Sequence, residues 1–201
     1  MVQDTVAVKP APHPFALSAK WLAGVVTYLA LTLMYSGLRP DLMVKLQSPL
    51  FGAELVLLAG IIVTTSLSAA LLAYPDMHQK HRVVFAPVAM MVLFVLTMAL
   101  SWRANTDPTH LTGHSVQCLM FIASLTLLPA AWIFYSMRNL ASTHPTQAGS
   151  IALLSAFSIG ALSLRLSEQT DSIMHVMQWH YLPMIAAGLI GLGLGKLLLK
   201  W

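Results

Sequence analysis

LVLLAGIIVTTSLSAALLAYP, residues 55–75, runs into DMHQKHR, residues 76–82, and then into VVFAPVAMMVLFVLTMALSW, residues 83–102. Neither long stretch holds a single charge. Each is about as long as the roughly 20 apolar residues that a helix needs to cross a bilayer. The turn between them carries Asp76, Lys80 and Arg82. Core helices of a water-soluble protein would need a polar face toward solvent, and neither stretch has one. The segment reads as a helical hairpin in lipid, because a spanning segment must satisfy its backbone groups internally.

The same pattern extends in both directions. Trp21–Leu38 precedes the hairpin. Ser115–Met137, Ala148–Leu164 and Gln178–Gly195 follow it. The breaks are ordinary loop signals: Gly37 to Asp41 with Pro40, Arg103 to His114 with Asp107 and Pro108, Arg138 to Gly149 with Pro145, and Ser167 to His175. The first run is longer than the h-region of a signal peptide and no Ala-x-Ala site follows it, so it is expected to stay as a span. The fold class is all-α, a polytopic transmembrane bundle of six helices. Residues 1–19 form a short tail, and residues 20–201 form the six-helix domain.

Composition agrees. Of 201 residues, 57% are hydrophobic and 9% charged, and the mean hydropathy is +0.74. Soluble domains carry roughly 25% charged residues, so the solvent of this chain is the lipid bilayer. The net charge of +4 is scattered rather than clustered, which argues against direct contact with nucleic acid. Lysine and arginine mark the cytoplasmic side of a membrane protein. Lys9, Lys20, Lys80, Arg82, Arg138, Lys196 and Lys200 fall on one side, and Arg39, Lys45, Arg103 and Arg165 on the other. Both termini are therefore expected in the cytoplasm. Trp21 and Trp179 are read as interfacial anchors.

Function classes narrow next. A charged residue deep in a span marks ion-coupled transporters, and none is present. Glu54 and Arg165 stand near span ends, within reach of the interface. No histidine stands at mid-span as an axial haem ligand would, and no cofactor is expected. His110 and His114 are four residues apart; with His175 and its neighbouring methionines they could offer ligands to a soft metal, or be solvated loop histidines. The single cysteine, Cys118, rules out an internal disulfide. Topology carries Cys118, Glu54, Glu168, Asp171 and Trp179 to the outer membrane face. A thiol among carboxylates is a poor nucleophile and a usable metal ligand; it is equally a small buried hydrophobe. No enzyme is expected. In the last span Gly188, Gly191 and Gly195 include a Gly-x-x-x-Gly pair, which suits close helix packing inside the bundle or a homodimer contact.

The motifs also carry a resemblance. Cys118-Leu-Met-Phe-Ile122 leads to Leu128-Pro129, then Arg138-Asn-Leu-Ala141 and Ala148-Gly149-Ser150. Asp171-Ser172, Gln178-Trp179-His180, the run Gly188 to Lys196 and the terminal Lys200-Trp201 follow. Phe51-x-x-Glu54 and Pro75 add to it. The chain resembles the NrsF-like family of six-span anti-sigma factors of the bacterial inner membrane. The resemblance implies a regulator that holds an extracytoplasmic-function-type sigma factor until an envelope, metal or oxidative stress signal arrives. It implies two cysteines near the outer face: Cys118 stands at the first position, and Glu168 at about the second. It also implies a sigma-gripping segment before the first span, of which Asp4, Val6, Val8 and Lys9 are candidates here. A small transporter or channel for a neutral solute is the alternative.

Overall fold

The computed structural model describes residues 12–75, 81–104, 115–140 and 142–199. All described secondary structure is helical. Six helices are long and apolar enough to cross a membrane: α1 (Pro14–Ser36), α2 (Pro49–Leu72), α3 (Ala86–Ala104), α4 (Ser115–Arg138), α5 (Pro145–Ser167) and α6 (Ile173–Leu198). Two single turns, Leu42–Lys45 and His81–Val84, lie between spans. Asp4, Val6, Val8 and Lys9, and likewise His110 and His114, lie outside the described residues.

Helix boundaries follow local chemistry. α1, α2 and α5 each open on a proline in the first turn, where the missing N–H has no intrahelical partner to lose. α1 starts at Pro14, ahead of Trp21, and so takes in Lys20. It ends at Gly37, whose φ of 80° and ψ of 156° lie in a region that is essentially open to glycine alone. Gly37→Ala is expected to cost about 1–3 kcal/mol, read as a lower unfolding midpoint in mixed micelles. An unchanged midpoint would mean that the turn relaxes freely.

α5 is the hub. In its most hydrophobic stretch 72% of residues are buried, against 17% in that of α3. The cause is side-chain size: Ala148, Gly149, Ala152, Ser155, Ala156, Gly160 and Ala161 let α2, α4 and α6 approach on different sides. The closest approach is to α6. A Cβ built on Gly191 would meet the Gly149 carbonyl oxygen at 2.6 Å, and one on Gly195 would strike the Pro145 carbonyl and Gly149 Cα. The Gly-x-x-x-Gly pair thus serves an internal contact. Gly188 takes part differently, its carbonyl accepting a 2.8 Å hydrogen bond from the Ser150 hydroxyl.

Several buried hydroxyls inside the bundle are satisfied locally. Thr65, Thr126 and Ser158 return their hydroxyls to carbonyls four residues back, as lipid-embedded helices require. Tyr28 of α1 donates to the Leu125 carbonyl of α4 at 2.8 Å. Near the chain termini, Ser142 donates to the Leu72 carbonyl at 2.7 Å. Trp21, expected at the interface, is instead buried there, sharing a cluster with Leu17, Ala69, Ala70 and Met137. The small side chains at the end of α2 leave room for the indole.

Candidate functional site

The end of the bundle away from the chain termini gathers most of the described charge. Glu54 is in the second turn of α2 and Arg165 in the last turn of α5. Rather than reaching for the interface, they face each other inside the bundle. Arg165 Nε lies 2.7 Å from Glu54 Oε1 and Nη2 lies 3.2 Å from Oε2. This two-point fork fixes geometry as well as charge. The Tyr181 hydroxyl of α6 also donates to Glu54, and Arg165 Nη1 donates to the Thr170 carbonyl at 3.1 Å. Three helices are thereby pinned through one carboxylate. Such a pair pays for its burial only when its remaining donors and acceptors are met, and here they are.

A second network lies beside the first. Arg39 Nε donates to Asp41 Oδ1 at 2.7 Å, and Nη2 reaches Asp171 Oδ1 at 3.1 Å. Lys45 Nζ lies 2.7 Å from Asp171 Oδ2. The Arg39 amide donates to the Leu166 carbonyl, so the loop after α1 is tied to the end of α5. The Arg39 hydrogen bond holds the Asp41 carboxyl down at about 2. The Phe51 ring has the Arg39 guanidinium 5.4 Å from its centroid and that of Arg165 at 4.7 Å, within cation–π range.

The third grouping is the most unusual chemically. Cys118 Sγ, Glu168, His175 and His180 present one ligand atom each, all within 4.8 Å of one another. The thiol lies 3.4 Å from Glu168 Oε1. Glu168 Oε2 lies 3.2 Å from His180 Nε2, and Oε1 lies 4.0 Å from His175 Nε2. The Thr170 hydroxyl donates to Glu168 Oε1 at 2.7 Å. Burial alone would raise the Glu168 carboxyl, but the adjacent His180 imidazole and the Thr170 hydroxyl hold it at about 2, so it stays anionic. Both His180 nitrogens are buried without a hydrogen bond. The Nε2–carboxylate contact has the distance of a charge pair but not the direction of a hydrogen bond.

Local structure explains how two histidines five residues apart meet. On an α-helix they would stand about 140° apart around the axis. From Val176 to Tyr181 the chain is instead π-helical, with about five residues closing each hydrogen-bonded turn. His175 and His180 therefore share a face, their ring centroids 5.4 Å apart. Pro183 follows this turn. It has no N–H for the Trp179 carbonyl, and its ring crowds that carbonyl; the helix is widened just ahead of it.

Of the residues singled out in the sequence, Cys118, Glu168 and His175 come together directly. Glu54 and Asp171 are instead linked to each other through Arg165. Trp179 is half-buried, with its indole N–H lacking a partner. Sequence reasoning missed His180 as a site residue, and with it Arg165, Tyr181, Thr170 and Arg39. Opposite charges at the same end of α2 and α5 were a usable signal for Arg165. The π turn offered none beyond Pro183.

No solved structure matches the chain. A curated protein of Azospira oryzae, described as a probable anti-sigma-F factor NrsF, is 25% identical over 201 residues, covering 98% of this chain and 92% of its own length. The family profile for NrsF, negative regulator of sigma F, matches residues 1–201. With the family matched from end to end, six apolar helices and a polar cluster at one end of the bundle, the chain belongs to the NrsF family of negative regulators.

Proposed function

We propose that this protein is a membrane-bound anti-sigma factor that sequesters an extracytoplasmic-function-type sigma factor at the bacterial inner membrane. The whole-length family match carries this reading. The charge bias of the loops supports cytoplasmic termini. In that orientation the polar cluster faces the envelope and the tail faces the sigma factor. A signal at the cluster acts by favouring one packing of the bundle over another, and it can shift the balance only by its differential affinity for the two. The networks around Glu54 and Asp171 join α2, α5, α6 and the loop after α1, so a change there bears on most of the bundle. Envelope, metal or oxidative stress is the proposed class of signal.

Among the described residues, no feature favours transport of a neutral solute. The centre of the bundle is filled by the small side chains of α5. A groove of about 420 Å³ between α3 and α5 is lined chiefly by apolar residues such as Pro87, Met91, Val95 and Leu154.

In-cell photo-crosslinking from residue 6 or 8, in place of Val6 or Val8, tests the proposal. A sigma factor is expected as the dominant adduct identified by mass spectrometry. Adducts with lipid or with the protein itself alone would refute it.

A further inference from the structure

Four side chains of three different chemistries converge at the end of the bundle away from the termini, and hydrogen bonding accounts for only part of the arrangement. Cys118 comes from the first turn of α4, Glu168 from the residue after α5, and His175 and His180 from the start of α6. His180 is 1% exposed and neither of its nitrogens makes a hydrogen bond. Leaving buried polar atoms unpaired is costly, and an imidazole aimed at a thiol and a carboxylate gains most from a shared cation.

The spacing fits one. Donors about 2.0–2.3 Å from a tetrahedral zinc ion lie about 3.3–3.6 Å from each other. Around Glu168 Oε2, the thiol lies at 3.7 Å and His180 Nε2 at 3.2 Å. His175 Nε2 lies 4.0 Å from Glu168 Oε1, and all four ligand atoms lie within 4.8 Å of one another.

The charge fits as well. Thiolate, carboxylate and two neutral imidazoles sum to −2, which cancels a divalent ion where the dielectric is low. Binding releases the thiol proton as the S–metal bond forms, with no oxidant or reductant involved. The Thr170 hydroxyl, 2.7 Å from Glu168 Oε1, braces the carboxylate from behind, as outer hydrogen bonds do around metal-binding carboxylates. One sulfur, two imidazoles and a hard oxygen suit zinc, whereas copper(I) selects thiolate and thioether sets.

We propose that Cys118, Glu168, His175 and His180 form a mononuclear, tetrahedral site for a zinc-class divalent cation. The single thiol acts there as a ligand rather than as half of a redox pair. Occupancy ties α4, the α5–α6 connection and the π turn of α6 to one ion. The use of that tie as a signal rests on the anti-sigma reading; the binding itself does not.

The test uses the purified full chain in detergent, with cobalt(II) as the probe and zinc as its competitor. The expected result is one cobalt per chain, with intense visible bands of tetrahedral cobalt and a near-ultraviolet sulfur-to-cobalt band, both lost on adding zinc. Cys118→Ser is expected to abolish the sulfur band. His180→Gln is expected to weaken binding more than about tenfold, and Thr170→Val by about tenfold. His144→Gln, at the other end of α5, is expected to change nothing. A pale octahedral spectrum, or binding indifferent to Cys118→Ser and His180→Gln, would overturn the site. Zinc-edge X-ray absorption on the unmutated protein covers the case of a variant that fails to fold. One sulfur scatterer beside nitrogen and oxygen is expected, and a shell without sulfur would refute the proposal. Because no sigma factor enters these measurements, they stand apart from the crosslinking result.

Discussion

Arg165→Ala is expected to destabilise the bundle by about 3–5 kcal/mol, because it strands the Glu54 carboxylate between helices without its counter-charge. Both side chains are almost fully buried, so water does not screen the loss as it would at a surface. Equilibrium unfolding in mixed micelles, followed by far-ultraviolet circular dichroism, reads the change. The double variant Glu54→Gln with Arg165→Met removes both charges together. It is expected to recover most of the stability, since the new amide still accepts from Tyr181 and the methionine fills the space of the arginine stem. A single-variant loss below about 1 kcal/mol would place the pair in the range of solvent-screened surface bridges. The junction of α2, α5 and α6 would then not be the dry contact described.

Gly191→Ala is expected to cost about 3 kcal/mol, at the upper end of what overpacking does. The atoms that its methyl would meet belong to the backbone of α5 and cannot rotate away. Gly193→Ala is the matched control. It sits two residues along the same helix with nothing within 4 Å of an added Cβ, and alanine favours helix over glycine by up to about 1 kcal/mol. This variant is expected to be neutral or slightly stabilising. Equal effects at both positions would mean that α5 and α6 do not meet through these glycines.

The membrane bundle was legible because lipid imposes a crude rule that composition obeys. Runs such as Leu55–Pro75 and Val83–Trp102 have no charge to place. The close approach of α6 was legible from Gly191 and Gly195, although the sequence left open whether the partner was internal. It is internal because Gly149 on α5 supplies the matching gap. The site was half legible. Cys118, Glu168 and Asp171 were drawn to one level by topology alone, since each stands at a span end on the same side. His180 is not legible, because its relation to His175 depends on a π turn, and five-residue spacing on an ordinary helix would separate them. The sequence places Arg165 within reach of the interface because it stands at a span end. Its partner Glu54 is 111 residues away in sequence, and no local pattern reports a pairing at that distance.

The central place of α5 also has a consequence for how the protein is made. Helices leave the ribosome in chain order, and the one against which α1, α2, α4 and α6 all pack is the fifth. At about 5–20 residues per second, Glu54 is synthesised on the order of ten seconds before Arg165 exists to meet it. For that interval α1, α2 and α4 are without the helix that they pack against. Because α5 and α6 meet through glycine backbone, they are suited to join the earlier helices together, as one hairpin.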